Sequence, residues 1–320
     1  MMKIDVAINS YKKPESLIYT LMTLKKTAGD MIDTVYINDD RSRNGALEIY
    51  KSPQVKEYFS PWKIDVRENT KNIGIKQAYI RGYYPPYMDW KFKLKRWYRF
   101  FSPEYGHNRY DIRYQYALEH TDKKYLLILH DDVKFMQNVV KVYLERFAQN
   151  PELTIVGDFG QCWRCHFKPF CNRKNVVEGR YPSPHWPLTP SKEIARVDDF
   201  NPKEGYTYAC RINEWCCMVD VAKANTLTEQ SRAFFGNMYP HSDTAAYWFA
   251  LGVKLGYKFD DPLLDNRKEY YQHAWQGFSG HSVWVNQGQG KSVYDKQGII
   301  DLIEKEFGFI WPEEKDEKEK

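Results

Sequence analysis

The chain has 320 residues, enough for one large domain or two small ones. Its 47 Lys and Arg against 42 Asp and Glu give a net charge of +5, too small to indicate nucleic-acid binding. Every apolar run is shorter than the roughly 20 residues that a membrane-spanning helix needs. The N-terminal residues enter a predicted strand directly, so we expect no signal peptide and a cytoplasmic location.

The predicted elements alternate between strands and helices. Alternating apolar residues predict a strand at residues 3–9, further strands are predicted at 34–38 and 63–66, and a continuous apolar run predicts a buried strand at 125–129. Pro14 begins one helical pattern, and a second runs through residues 77–81. Such alternation predicts an α/β fold whose central sheet is mostly parallel and flanked by helices.

Two adjacent carboxylates, Asp131 and Asp132, follow the apolar strand at 125–129. In parallel α/β sheets, ligands bind beyond the carboxyl ends of the strands. Carboxylates at such a place need a cation or hydrogen-bond donors. A divalent metal that carries a diphosphate meets this need. The alternative is a pair of exposed acids that opens a turn.

Four short blocks occur in order at residues 6–11, 37–42, 72–78 and 129–133. Together they resemble family 2 glycosyltransferases of the GT-A fold, and a weaker similarity continues through 243–256. The resemblance implies a Rossmann-like fold and a metal-dependent, inverting transfer of a sugar. The donor would be a nucleotide-sugar, UDP-linked, bound with Mn²⁺ or Mg²⁺, and the acceptor a glycan or other hydroxyl compound.

The resemblance also assigns roles to residues at the strand ends. It implies nucleotide-sugar contacts from Asn9, Ser10, Tyr11, Asp39, Asp40, Asn72, Lys76 and Asp131. Asp132 would contact the metal. The family often carries an acid where this chain has His130, so the division of roles between the two carboxylates stays open.

Asp243 lies just before a helical run at residues 246–251. An acceptor hydroxyl must lose a proton as it attacks the anomeric carbon, and a carboxylate within reach can accept it. The resemblance favours Asp243 as this base, and helix capping is the alternative. Some GT-A enzymes complete the metal site with a C-terminal histidine. His281 is favoured over His273 because its glycine and serine neighbours suit a mobile lid, although either histidine could simply be packed or exposed.

All six cysteines lie between residues 162 and 217. The spacing of a C-x₂-C pair predicts a structural Zn²⁺ site, with the ligands Cys162, Cys165, Cys171 and Cys210. His166 is an alternative ligand, and buried thiols or disulfides are the alternatives to zinc. Cys216 and Cys217 lie in an apolar strand-like run and are interpreted as buried thiols.

The segment 83–110 departs most from the family pattern. Aromatic residues within 88–101 fall on one helical face and basic residues elsewhere. This pattern suits peripheral membrane contact or binding of an anionic glycan or nucleic acid. The pattern favours a third interpretation, in which the aromatic face of the 88–101 helix packs on the sheet domain. Farther on, Glu214 and Trp215 in a predicted strand at 213–220 are candidate contacts to the acceptor or sugar.

These patterns divide the chain into three parts. Residues 1–160, with the insert 83–110, form the nucleotide-sugar half. Residues 161–311 contain a Cys-rich insertion, the acceptor half and a C-terminal lid, and residues 312–320 a disordered charged tail. The competing function is a non-catalytic, zinc-containing protein that binds glycans or nucleic acid on a degenerate GT-A fold. The presence of Asp243 together with the Asp131–Asp132 pair favours the enzyme, for which no nucleic-acid partner is expected.

Overall fold

The computed structural model describes most of the sheet and its helices. The described residues are 2–72, 110, 112–159, 171–182, 186, 189–190, 206–207, 210–231, 233–236, 244–274 and 294–312. Lys76, Asp243, His281, Cys162, Cys165 and the segment 88–101 lie outside these ranges, as do residues 313–320 of the tail.

The elements follow the predicted alternation. The strands are β1 (Ile4–Ser10), β2 (Ile32–Asp39), β3 (Lys63–Glu68), β4 (Tyr125–Leu129), β5 (Val133–Phe135), β6 (Leu153–Phe159), β7 (Thr189–Pro190), β8 (Tyr206–Thr207), β9 (Ile212–Asp220), β10 (Lys258–Asp260) and β11 (Tyr271–His273). The helices are α1 (Pro14–Ala28), α2 (Ala46–Lys51), α3 (Pro53–Phe59), α4 (Gln115–His120), α5 (Val139–Gln149), α6 (Arg173–Val177), α7 (Val221–Ser231), α8 (Ala246–Lys254), α9 (Arg267–Tyr270) and α10 (Lys296–Phe307).

The central sheet has seven strands in the order β10-β6-β9-β4-β1-β2-β3. β1 is parallel to β2 and β4, β2 is parallel to β3, and β6 is parallel to β10. β9 is the exception, because it runs antiparallel between β4 and β6. The predicted Rossmann-like α/β fold with a mostly parallel sheet is therefore confirmed.

Both faces of the sheet are covered. One apolar cluster joins the sheet to α1, α5 and α10, and the other joins it to α4, α7 and α8. Strand residues alternate between the two clusters, as the two-residue period of a strand requires: Leu127 and Cys216 face the first, Ile128 and Cys217 the second. Cys216 and Cys217 are fully buried, and burial raises the pKa of both thiols, so the interpretation of buried thiols is confirmed.

The turn that carries Asp131 and Asp132 is held by a row of hydroxyl groups on α1. Ser16 Oγ donates to the carbonyl of Asp131 at 2.6 Å, and Thr20 Oγ1 accepts from the backbone N–H of Val133 at 3.1 Å. Thr23 continues the row with Phe135. These residues lie on one face of α1 because they are spaced by four and three positions. β5 pairs with β11 along its other edge, so the segment after the two carboxylates is fixed on both sides.

Several predictions concern regions outside these elements. Among the helices that the structure describes, none combines the length and apolar character needed to cross a bilayer. Of the predicted insert, only Tyr110 is described. The division of the chain into parts therefore stays a prediction, although β9 and β10 share one sheet with the strands of the first half.

Candidate functional site

Three strand ends meet at one edge of the sheet. β1, β2 and β4 are parallel, with Ser10 beside Asp39 and Ile8 beside Leu129. These strand ends lie within three of the four sequence blocks, at residues 6–11, 37–42 and 129–133. The structure therefore brings together three groups of predicted donor-site residues, namely Asn9–Tyr11, Asp39 and Asp40, and Asp131 and Asp132.

Asp131 lies at the centre of a cluster of polar side chains. Its Oδ1 lies 2.8 Å from Lys13 Nζ, and its Oδ2 accepts from Ser10 Oγ at 3.1 Å. Ser10 Oγ in turn accepts from the hydroxyl of Tyr50 at 3.0 Å. Burial alone would lower the pKa of Lys13, but the charges of Asp131 and Asp132 raise it above its ordinary value. Lys13 is thus a permanent cation beside the carboxylate predicted to contact the ribose.

The end of β2 has one carboxylate that holds a turn and one that lies nearer the surface. Asp39 is fully buried and accepts from the backbone N–H and Oγ of Ser42 at 2.7 and 2.5 Å. Burial raises the pKa of Asp39 despite these hydrogen bonds. Asp40 accepts from Asn69 Nδ2 at 2.8 Å, and the exposed Asn72 donates to the Asp40 carbonyl at 2.9 Å. Contact of these residues with a nucleotide stays a prediction.

The end of β1 presents an amide and an aromatic ring. Asn9 Oδ1 accepts from Asn38 Nδ2 at 3.1 Å, and Asn38 Oδ1 accepts from Arg67 at 3.0 Å. Tyr11 is half-buried, and Lys12 Nζ lies 5.3 Å from the centroid of its ring. A partly exposed ring at this edge suits stacking against a base.

Asp132 lies on the other side of the same turn, next to two histidines. Its Oδ1 lies 3.4 Å from His273 Nε2 and 3.8 Å from His130 Nδ1. The two imidazole nitrogens are 3.3 Å apart. A carboxylate oxygen of Asp132 and one ring nitrogen from each of His130 and His273 lie within 4.8 Å of one another.

Backbone pairing and an indole ring place His273. In the β5–β11 pair, His273 lies opposite Val133, and the N–H of Ala274 donates to the Asp132 carbonyl at 2.7 Å. The ring of Trp215 lies against His273 with 4.2 Å between centroids. Trp215 Nε1 donates to Asp158 Oδ2 at 2.5 Å, which orients the indole. Acceptor binding by Trp215 stays a prediction.

Glu214 is buried behind His130. Its Oε1 lies 3.3 Å from His130 Nε2, and its Oε2 accepts from the guanidinium of Arg211 at 2.9 Å. Arg211 is fully buried, and Glu214 is 2% exposed. Both carboxylate oxygens therefore contact protein groups, and a role in acceptor or sugar binding stays a prediction for Glu214.

The charges around Asp132 favour ionised carboxylates. Burial alone would raise the pKa of Asp132, but Lys13 and His273 lower it below its usual range. Burial opposes ionisation of Glu214 too, and Arg211 together with His130 lowers the pKa of that carboxyl. His130 shows the opposite shift: burial would lower its pKa, but the hydrogen bond to Glu214 raises it.

The residues around Asp132 fit a divalent cation. Asp132 Oδ1 is buried and accepts no hydrogen bond from the part of the chain that the structure describes. A buried carboxylate oxygen is costly without a donor or a cation. Two imidazoles and one carboxylate are a donor set that binds divalent transition metals. Asp132, predicted as a metal contact, would thus be joined by His130 and His273.

Sequence reasoning gave neither histidine a primary metal role. His130 was noted only because it replaces an acid of the family pattern, and His273 was weighed but placed second to His281. The adjacency of His130 to the aspartate pair was the available signal. Lys13 carried no signal as a site residue, because its partner Asp131 lies 118 positions away in the sequence.

The predicted zinc site is only partly described. Cys210 is buried in the second apolar cluster, and the half-buried Cys171 packs against the same cluster. Since Cys162 and Cys165 lie outside the described residues, the Zn²⁺ site stays a prediction. The same holds for Lys76, Asp243 and His281.

No family model matches the sequence, and no curated protein matches it. Among solved structures, the chain is similar to mannosyltransferase PcManGT from Pyrobaculum calidifontis, in complex with GDP-Man and Mn²⁺, with 12% identity and a TM-score of 0.44. The match covers 82% of this chain and 55% of that one, so the chain spans about half of that protein.

Two structures of S. aureus TarS residues 1–349 are also similar. The first has 13% identity and a TM-score of 0.43, covering 96% of this chain and 72% of that one. The second, in complex with UDP-GlcNAc, has 11% identity and a TM-score of 0.42, covering 97% and 74%. Likenesses at this level carry no argument about activity, and membership of family 2 stays a prediction.

Proposed function

We propose that this chain is a metal-dependent glycosyltransferase that moves a sugar from a nucleotide-sugar, UDP-linked, to a glycan or other hydroxyl acceptor. The observation that carries the proposal is the pair Asp131 and Asp132 at the carboxyl edge of the sheet. Asp131 is neutralised by Lys13, whereas Asp132 Oδ1 faces two imidazole nitrogens within 3.8 Å. One carboxylate is thus suited to orient a polar ligand and its neighbour to hold a cation.

The donor would lie along the three strand ends. Asn9, Ser10, Tyr11, Asp39, Asp40, Asn72 and Lys76 are proposed to bind the nucleotide, with Tyr11 stacked on the base and Asp131 orienting the ribose. Asp132, His130 and His273 would hold Mn²⁺ or Mg²⁺. When bound, such an ion neutralises the leaving diphosphate. Lys13, buried beside Asp131, would keep Asp131 in place during this step.

The transfer is proposed to be a single inverting displacement. Asp243 would accept the proton of the attacking acceptor hydroxyl. A double displacement needs a second carboxylate that is free to act as nucleophile, and we consider Glu214 for that role. Because both oxygens of Glu214 contact Arg211 and His130, the geometry favours the single displacement. NMR of the product's anomeric configuration tests this: inversion is expected, and retention would contradict it.

A structural Zn²⁺ bound by Cys162, Cys165, Cys171 and Cys210 remains a separate proposal. Its support is the clustering of all six cysteines within residues 162–217. Elemental analysis of protein purified without added metal should find one equivalent of zinc. Substoichiometric zinc in that protein would exclude it.

Thermal shift with UDP and GDP, each with and without Mn²⁺, tests donor binding. A ligand that binds only the folded state raises the melting temperature. We expect stabilisation by one nucleotide, and only with the ion present. The same protein should then release sugar from one member of a panel of nucleotide-sugars. Stabilisation without any turnover across the panel, with and without acceptors, would favour the non-catalytic binding protein.

A further inference from the structure

Glu214 is buried and contacts the candidate ion site through His130. Its carboxylate is 2% exposed, with Oε2 at 2.9 Å from Arg211 and Oε1 at 3.3 Å from His130 Nε2. An ionised carboxylate has no hydrogen to donate, so the hydrogen in the second contact belongs to His130 Nε2. The contact therefore determines which nitrogen of His130 is protonated.

We propose that Glu214 is a positioning residue that fixes the tautomer of His130 and presents His130 Nδ1 to the divalent ion. In a neutral imidazole, a hydrogen on Nε2 leaves a lone pair on Nδ1. Nδ1 is the nitrogen that faces the rest of the site, 3.3 Å from His273 Nε2 and 3.8 Å from Asp132 Oδ1. Histidine ligands in metal sites commonly donate their second N–H to such a carboxylate.

Arg211 holds Glu214 in this orientation. The guanidinium is fully buried and contacts Oε2 through its Nε at 3.3 Å and through a terminal nitrogen at 2.9 Å. A contact through two nitrogens restricts both position and direction. A buried charge of either sign is costly without its partner. Arg211 thus makes the carboxylate, and through it the imidazole, part of a rigid unit.

This arrangement predicts which ions the site prefers. With His130 Nδ1 available, the ligand set contains two imidazole nitrogens and one carboxylate oxygen. Imidazole favours transition-metal ions, whereas Mg²⁺ prefers an all-oxygen environment. Loss of Glu214 should therefore weaken Mn²⁺ binding more than Mg²⁺ binding. The inference rests on the ion-binding part of the proposed function and requires no particular donor or acceptor.

Mn²⁺ titrations followed by the EPR signal of the free ion test the role of Glu214. The variants are Glu214→Gln, His130→Ala and the double substitution, all without nucleotide. We expect Glu214→Gln to weaken Mn²⁺ binding by roughly 10–100-fold, as for other residues that orient a metal ligand. In the His130→Ala background the same substitution should change Mn²⁺ affinity by less than about 2-fold, because the two residues act as one unit. An equal loss in both backgrounds would overturn the proposal.

Asp220→Asn is the matched control, because it also replaces a buried carboxylate of β9. Asp220 accepts from the backbone N–H of Lys223 at 3.2 Å, at the far end of the strand from Glu214. Its substitution should leave Mn²⁺ affinity unchanged, and a comparable loss there would mean that any carboxylate of β9 has this effect. Wild-type protein that binds Mn²⁺ but transfers no sugar would refute the proposed function alone, whereas wild-type protein that binds no Mn²⁺ would overturn this inference.

If Glu214→Gln does not fold, a measurement on the wild-type protein still tests the proposal. Nitrogen-15 spectra of histidine in Zn²⁺-loaded protein distinguish coordination through Nδ1 from coordination through Nε2. The His130 signals are identified by their loss in His130→Ala. Coordination through Nδ1 with a hydrogen on Nε2 supports the proposal, and coordination through Nε2 overturns it.

Discussion

Asp131 and Asp132 are neighbours in the sequence but lie in two different environments. Asp131 has the ammonium group of Lys13 at 2.8 Å, from the residue before α1, and the hydroxyl of Ser10 at 3.1 Å, from the end of β1. Asp132 has a buried oxygen that accepts no hydrogen bond from any described residue and faces histidines from β11 and the β4–β5 turn. The first carboxylate forms an ion pair with Lys13, and the second lies beside two imidazole rings.

The contrast follows from the way the turn is held. Hydroxyl groups of α1 fix the backbone on one side, and β11 fixes it on the other. Within this turn, Asp131 contacts Ser10 and Lys13, whereas Asp132 lies beside His273 of β11. An aspartate pair at a strand end can therefore supply one orienting group and one ion ligand without any change of backbone. The predictions below test whether these two roles can be separated.

Asp132→Asn should remove most of the turnover. The substitution removes the only carboxylate of the proposed ion site among the described residues, so the charge of the leaving diphosphate would not be balanced. We expect turnover to fall by at least roughly 10²–10³-fold, the effect of removing one stabiliser of transition-state charge. Steady-state rates with the best nucleotide-sugar measure it. Near-wild-type turnover with an unchanged melting curve would show that Asp132 has no part in the ion site.

Asp243→Asn should reduce turnover by roughly 10²–10⁴-fold, the usual contribution of a general base. Donor affinity should stay nearly unchanged, because this side chain is proposed to contact the acceptor only. The amide keeps the shape and the capping ability of the carboxylate. Normal turnover would contradict the assignment of Asp243 as the general base.

Lys13→Met tests the ion pair between Lys13 and Asp131. It leaves Asp131 buried without its cation, and breaking a buried pair in this way costs about 3 kcal/mol or more. Denaturant unfolding should show the loss, and Lys13→Met combined with Asp131→Asn should recover part of it. Recovery is expected because no uncompensated charge remains. If the single and double variants are equally destabilised, the pair is not what stabilises this region.

The buried carboxyl of Asp158 predicts a pH dependence of the free energy of unfolding that does not involve Asp131 or Asp132. Burial raises the pKa of its carboxyl to about 6, against the opposing effect of Arg267. Between about pH 4 and pH 6 the unfolded state loses a proton that the folded state keeps, so the free energy of unfolding falls as pH rises. Relative to Asp158→Asn, wild-type protein should lose up to roughly 3 kcal/mol across this window. A flat difference would mean that Asp158 is ionised throughout.

Local patterns predicted most of the scaffold. The alternation in β1, the apolar run of β4 and Pro14 at the start of α1 each depend on neighbouring residues, so one sequence suffices to recognise them. The antiparallel direction of β9 was not predicted, because the direction of a strand in a sheet depends on its pairing with strands that are distant in the sequence.

The site was predicted less completely for the same reason. Asp131 and Asp132 are visible because they follow a buried strand. The contact between His130 and Glu214 joins residues 84 positions apart, and that between His130 and His273 joins residues 143 apart. Spacing in a single sequence carries no information about such contacts, so His273 could only be weighed as an alternative to His281, whose metal role stays a prediction.

Mn²⁺ titration of Asp131→Asn and Asp132→Asn, side by side with wild-type protein, tests the division of roles most directly. Both variants remove one negative charge from the same turn, so a general electrostatic effect would weaken Mn²⁺ binding equally. We predict that Asp132→Asn lowers Mn²⁺ affinity at least roughly tenfold, as expected for loss of a ligand or of its supporting group, while Asp131→Asn keeps it close to the wild-type value. Equal losses, or a larger loss in Asp131→Asn, would contradict the account.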